Sequence, residues 1–328
     1  HSLSESANGN RDRHARILSQ GSSSGFLSVI AFAAAFFPSG LVFVSKLGDM
    51  RWNQEEIMLP QIPPKIDRLD EVAAQYDAVL CDVWGVVHNG VSPFPFAVAA
   101  LQAWRAAGKT VVLITNSPRP AEGVINQFDV IGVASDAWDD IVTSGDVTRR
   151  LVEEGPNGLD VQLVQEEEAE AVLCTGLYDD ETETPDQYSD LLTRLAGRDL
   201  PFICANPDQV VERGDRLIYC AGALATAYEK IGGQTRIAGK PHAPIYQEAL
   251  KRLAKLRGAT PNGRVLAIGD GIATDIRGAV TAGLDVLFIA RGIHAGEYYS
   301  GNRVDEQRLG AFFDREETRP TLWADWLG

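Results

Sequence analysis

Asp82 stands at the end of an apolar run, Tyr76-Asp-Ala-Val-Leu-Cys-Asp82, where a buried strand should give way to a loop. A carboxylate in that place suits a nucleophile or a metal ligand. Three more stretches set polar groups directly after apolar runs: Thr115-Asn-Ser117, Gly239-Lys-Pro-His242 and Gly269-Asp-Gly-Ile-Ala-Thr-Asp275. Together these types suit phosphate chemistry. A carboxylate can attack phosphorus and split one hard displacement into two through an aspartyl-phosphate. An anion approaching an anion must be shielded, and a magnesium ion on oxygen ligands together with a lysine would do so. Hydroxyl, amide and backbone N–H groups can then hold the non-bridging oxygens as charge shifts. Each stretch alone has an ordinary reading as a strand end, a turn or a tight loop. Four in order, one per apolar run, point to a single site.

The elements that must position them alternate in type. Ala78–Val83 and Thr110–Thr115 read as strands covered on both faces. Between them Ala97–Ala107 reads as an amphipathic helix ended by Gly108. Val265–Gly269 and Asp285–Ala290 repeat the strand signal around a helix over Thr274–Ala282. Strand, helix, strand with short connections predicts an α/β fold with a doubly wound, Rossmann-like parallel sheet. Ligands of such sheets bind beyond the carboxyl ends of the strands, which is where all four stretches lie. The middle third differs: an acidic loop, Tyr178-Asp-Asp-Glu-Thr-Glu-Thr-Pro185, separates strand-like Ala171–Thr175 from a helix near Gln187–Leu195, and Pro201–Ala205 is again strand-like. Residues 151–231 are expected to form a smaller α/β domain inserted into a core of 66–150 and 232–328. The acidic loop reads as a solvated face, with a lid role open.

The four stretches, in this order, resemble the motifs of the haloacid dehalogenase superfamily over Tyr76 to His294. An insert between the second and third motifs resembles the type-C2 cap of the branch containing p-nitrophenyl phosphatases and nucleotide monophosphatases. Ala205-Asn-Pro-Asp208 and Ala221-Gly-Ala-Leu-Ala225 look like that branch's cap and cap-exit motifs. The Asp82-Val-Trp-Gly-Val86 stretch is similar to an uncharacterised bacterial subfamily of the branch. The resemblance implies a magnesium-dependent hydrolase of small phosphate esters. Asp82 would be the nucleophile and a metal ligand, Thr115 and Asn116 the phosphate holders, and Lys240 the charge stabiliser. Asp270 would ligate Mg2+ with the Trp84 backbone carbonyl, and Asp275 would support it. Asn206 and Asp208 are the insert residues through which specificity would act, though Asn-Pro-Asp is also turn chemistry.

Trp84 departs from the pattern. In the phosphatases of this family the second residue after the nucleophile is an Asp that acts as general acid and base. A tryptophan still offers its carbonyl but transfers no proton, and losing a positioned acid costs about 10²–10⁴ in rate. Three readings follow: a phosphatase that is slow or confined to good leaving groups, with protonation from solvent, substrate or His88; a non-catalytic phosphate-ligand binder; or a metal-free carbon–halogen hydrolase. The last sits badly with the acids Asp270 and Asp275. His88 also reads as an ordinary loop hydrogen-bonder.

Bulk properties narrow the partners. The 328 residues carry 30 Lys and Arg against 45 Asp and Glu, a net charge of −15. That balance argues against a nucleic-acid binder. It leaves room for a locally positive pocket and a small phosphorylated metabolite. Cys81, Cys174, Cys204 and Cys220 form no CxxC pair and read as buried thiols of a reducing compartment. Residues 1–57 are expected to be a non-native or disordered extension. Arg11, Arg13 and Arg16 precede a short apolar stretch like that of a signal peptide, but it is too broken to predict a membrane span. A start at Met50 or Met58, a cytoplasmic location and a homodimer by analogy complete the expectations.

Overall fold

A computed structural model describes residues 62–153, 164–214, 216–258 and 264–328. The N-terminal extension read from the sequence lies outside the described residues. In chain order the core begins β1 (Ala78–Asp82), α1 (Pro95–Ala106), β2 (Thr110–Thr115), α2 (Ala121–Ile131), β3 (Asp140–Thr143) and α3 (Ser144–Glu153). The insert follows with β4 (Val172–Cys174), α4 (Ser189–Ala196), β5 (Phe202–Cys204), β6 (Val210–Arg213), β7 (Arg216–Tyr219), α5 (Ala221–Lys230) and β8 (Thr235–Ile237). The chain then returns to the core through α6 (Ala243–Arg257), β9 (Val265–Gly269), α7 (Arg277–Thr281) and β10 (Asp285–Ile289). It closes with α8 (Ala295–Tyr298), a short ladder of β11 (Tyr299–Ser300) and β12 (Arg303–Val304), α9 (Glu306–Arg315) and β13 (Leu322–Ala324).

The core sheet is parallel, in the order β13-β10-β9-β1-β2-β3. Every residue of β1 is buried because the sheet is covered on both faces. Strand alternation sorts its side chains. Val79 and Cys81 join Leu101, Trp104, Val124 and Phe128 in one layer. Ala78 and Leu80 join Ile245, Ala249, Leu253 and Phe312 in the other. The chain leaves β1 toward β2 and β3, then returns to its other edge at β9, so the switch point of the sheet lies beside β1. Helix α1 begins two residues earlier than its apolar period predicts, because Pro95 occupies its first turn.

The insert has its own core, in which Phe202, Cys204, Leu192, Leu224 and Tyr228 meet. Its parallel sheet runs β4-β5-β8, and β6 and β7 form an antiparallel hairpin. Thr235–Ile237 pairs with β5, so the insert's sheet reaches past Ile231, the boundary read from the sequence. The hairpin itself is not foreseen by that reading. Its arginines hold the acidic loop: Arg213 meets Asp180 at 2.8 Å and Glu181 at 2.7 Å, and Arg216 meets Glu181 at 2.5 Å. The loop is largely exposed, as a solvated face, while its Asp180 and Glu181 pair with the hairpin arginines.

Candidate active site

Register brings the acids together. Cys81 of β1 lies beside Ile268 of β9, so Asp82 and Asp270 leave the sheet side by side at its carboxyl edge. Asp275 follows on a π-helical turn, Ile272–Ile276, in place of the α-helix start predicted there. That wider turn folds Asp275 back on its own beginning, where its carboxylate accepts from the Gly271 N–H at 3.1 Å. Thr115 ends β2, and Lys240 comes between β8 and α6. A cavity of about 70 Å3 is lined by these five residues together with Trp84 and Asn116. The insert lines it with Asp208, Val210, Val211 and Glu212.

Lys240 is 3% exposed and its ammonium is shared. Nζ donates to Asp82 Oδ1 at 2.5 Å and to Asp275 Oδ1 at 2.7 Å. Asp82, Asp270 and Asp275 each bring one oxygen within 4.8 Å of the others. One lysine against three buried carboxylates leaves an excess of negative charge, which is costly away from water. The titrations respond accordingly. Burial and the neighbouring Asp275 push Asp82 well above its ordinary range and Asp270 up to about 7. Burial alone would lower the Lys240 ammonium, but Asp275 and Asp82 hold it well above its ordinary value. The cluster is short of positive charge and its donors are all hard oxygens, which fits a magnesium ion.

Two glycines make room for Asp270. A Cβ on Gly85 would lie 2.3 Å from Asp270 Oδ2, and one on Gly292 would lie 2.1 Å from the same atom. Gly85 also has φ +87, which favours glycine. The following Ile293 N–H donates to Asp270 Oδ2 at 3.0 Å.

The Asn116 side chain is tied to Lys240 and to the insert. Its Oδ1 accepts from the Lys240 N–H at 2.7 Å, while its Nδ2 donates to the Lys240 carbonyl at 3.2 Å and to Asp208 Oδ1 at 2.8 Å. Both amide protons are used, so the side chain brackets the Lys240 backbone and reaches the insert instead of facing a phosphate. Thr115 Oγ1 accepts from the Ser117 N–H at 3.2 Å, which leaves its hydroxyl proton to donate. Asp208 lines the cavity, and burial raises its carboxyl above the usual range. Asn206 does not line it. Its Oδ1 accepts from the Asp208 N–H at 3.2 Å, an Asx turn that aims Asp208.

Trp84 bridges the two parts of the molecule. Its indole N–H donates to the Glu212 backbone carbonyl in the hairpin. Nearby, the Gly214 N–H donates to the Asn89 carbonyl at 3.3 Å. Gly90 lets the indole lie flat, since a Cβ there would be 2.5 Å from the ring. His88 is off the cavity. Its ring meets Trp84 and Phe128 edge-on, and its Nδ1 accepts from the Gly90 N–H at 2.8 Å. Burial lowers it to about 4, so at neutral pH it is the uncharged form and a poor acid. The role of proton source does not suit it. The hairpin residues Val210 to Glu212 and the paired glycines are site residues that sequence reasoning missed. The Trp-Gly and Arg-Gly dipeptides at positions 84–85 and 213–214 were the available signals.

Known proteins share this architecture. A haloacid dehalogenase-like hydrolase family matches residues 79–176, and a second HAD-like hydrolase family matches residues 237–307. The crystal structure of a hydrolase of the haloacid dehalogenase-like family from Brucella suis 1330 is 51% identical. It covers 80% of this chain and 100% of that one, with a TM-score of 0.71. A D-glycerol 3-phosphate phosphatase of Mycobacterium tuberculosis is 27% identical over 245 residues, which span 69% of this chain and 66% of that protein. The ribonucleotide monophosphatase NagD of Escherichia coli is 27% identical over 229 residues, 66% of this chain and 88% of that protein. With this fold, this order of motifs and these relatives, the chain belongs to the haloacid dehalogenase-like hydrolases.

Proposed function

We propose that the chain is a phosphatase of small phosphate esters that works through Asp82. The carrying observation is the sharing of Lys240 between Asp82 and Asp275 inside a cavity that Asp270 and Thr115 also line. In this reading an Asp82 oxygen attacks phosphorus, the bond from phosphorus to the ester oxygen breaks, and the leaving group departs with the electron pair. Water then attacks the phosphorus of the aspartyl-phosphate, and the bond from phosphorus to the Asp82 oxygen breaks. Inorganic phosphate leaves with the Asp82 carboxylate restored and the water proton passed to phosphate or solvent. Lys240 neutralises the nucleophile and the incoming anion in turn. The Thr115 hydroxyl holds one phosphate oxygen, and Asn116 keeps Lys240 in place and meets phosphate only through its backbone. Asp82, Asp270 and the Trp84 carbonyl would hold Mg2+, with Asp275 supporting, and the ion would supply the positive charge that the cluster lacks.

The cavity offers no ready acid at position 84, so the reading favours leaving groups that depart without a proton, such as aryl and acyl phosphates. The names of the two relatives, one a glycerol phosphate phosphatase and one a nucleotide phosphatase, support phosphate chemistry without deciding the ester. Among the described residues no helix is long and apolar enough to cross a membrane. The four cysteines are free and buried, which suits the cytoplasmic location that is part of this reading. The test is hydrolysis of p-nitrophenyl phosphate and acetyl phosphate, with and without magnesium, beside Asp82→Asn. Turnover that survives Asp82→Asn sinks the nucleophile. A wild type without turnover that is stabilised by phosphate esters and metal would instead be a phosphate-ligand binder.

A further inference from the structure

The wall opposite the nucleophile says which substrates fit. On the insert side it consists of Asp208, Val210, Val211 and Glu212. Among the described residues lining the cavity, Lys240 is the only basic side chain, and it is already shared by Asp82 and Asp275. The hairpin does carry cations beside this wall, but Arg213 and Arg216 are taken by Asp180 and Glu181 of the acidic loop. Asp208 meets only the uncharged amide of Asn116 within hydrogen-bond distance. A second anionic group on the substrate would therefore enter a small space facing a carboxylate, with no cation to receive it. An ammonium would meet that carboxylate and the Trp84 indole, two groups that attract it.

We infer that the site takes small phosphomonoesters whose remainder carries no second negative charge, and favours a remainder bearing an amine. This rests on the phosphatase reading and names its substrate class. Asp208 is then a specificity-determining residue.

The test compares three alkyl phosphates of similar size: 2-aminoethyl phosphate, glycerol 3-phosphate and 2-phosphoglycolate, whose remainders are cationic, neutral and anionic. The amine should exceed the carboxylate in kcat/KM by about ten-fold or more, the scale of like-charge juxtaposition. Asp208→Asn keeps an acceptor for Asn116 but removes the charge, and should shrink that ratio several-fold. Val210→Lys places a cation on the same wall and should shift preference toward 2-phosphoglycolate. The same ranking should appear in calorimetric binding to the Asp82→Asn protein with magnesium present. Absence of turnover on every ester, aryl and acyl phosphates included, would overturn the phosphatase reading while the binding order still decides this one. Equal or better use or binding of 2-phosphoglycolate, a ratio unmoved by Asp208→Asn, or no binding of any of the three overturns the inference.

Discussion

The Trp84 indole donates its N–H to the backbone carbonyl of Glu212, so the residue at the usual acid position ties the core loop to the insert. A carboxylate at position 84 could not make that bond, because a carbonyl needs a donor. That bond gives position 84 a hold on the hairpin. A hold of this kind favours the closed arrangement and so should act mainly on binding.

Trp84→Phe and Trp84→Asp separate that hold from the missing acid. Phe keeps the ring against His88 and Gly90 and loses one hydrogen bond, worth about 1 kcal/mol. Its KM should rise several-fold with kcat for p-nitrophenyl phosphate little changed, and the hairpin should be cut faster by trypsin at Arg213 or Arg216. Trp84→Asp adds an acid while losing the bond. Turnover of glycerol 3-phosphate should climb toward the 10²–10⁴ that such an acid is worth, roughly, with KM raised for every substrate. A flat kcat would show that position 84 is not simply a missing acid.

Gly292→Ala and Gly85→Ala probe the space around Asp270. Both place a methyl within 2.3 Å of Asp270 Oδ2, but only Gly85 has a positive φ. Gly292→Ala therefore displaces the carboxylate without the same backbone strain. It should lower magnesium affinity by roughly 10–100-fold, the scale of disturbing a group that orients a metal ligand. Magnesium titration followed by thermal shift is the readout. Unchanged affinity would remove Asp270 from the metal set.

Asn116→Ala should act through Lys240. Removing the carboxamide frees the Lys240 backbone and leaves the Asp208 carboxyl without its donor. We expect kcat to fall by about 10²-fold, as when a positioning contact is lost, with less change in KM. A purely KM effect would mean that Asn116 holds the substrate itself.

In the metal-free protein Asp270 should contribute stability as pH falls through 7 toward 4, opposed below about 6.5 by His88, which the fold keeps uncharged. Asp270, raised to about 7, binds a proton in the folded chain that the unfolded chain releases down to the ordinary carboxylate range. Its charged form thus weakens the fold above about pH 7, and protonation relieves this. Thermal melts in chelator between pH 5 and 8 should show the wild type gaining melting temperature relative to Asp270→Asn toward acid, a difference that magnesium reduces. A wild type that gains nothing on Asp270→Asn as the pH falls from 8 to 5 would contradict the raised carboxyl.

Much of this was legible along the chain. The runs at Ala78–Asp82, Thr110–Thr115 and Val265–Gly269 are continuous and apolar because both faces of the sheet are covered, and that signal is local. The helix expected from Thr274 was less legible, since a π turn differs from an α turn by one residue and leaves the apolar period nearly unchanged. The hairpin Val210–Tyr219 was missed because its strands are four residues each and partly exposed. The partners of the Asn116 side chain were not legible, because they depend on where Lys240 and Asp208 arrive.

By itself the sequence pointed to the kind of chemistry: an acid, a hydroxyl, a lysine and two further acids, each at or soon after a strand end, and a tryptophan where an acid would stand. The order of apolar runs also determined a parallel sheet, because βαβ connections leave few other arrangements. Only the tertiary structure decided who meets whom. Register set Asp82 beside Asp270, Lys240 came to serve two carboxylates, and Trp84 reached a hairpin 128 positions away. Such contacts join elements far apart in the chain, so no local pattern of residues encodes them.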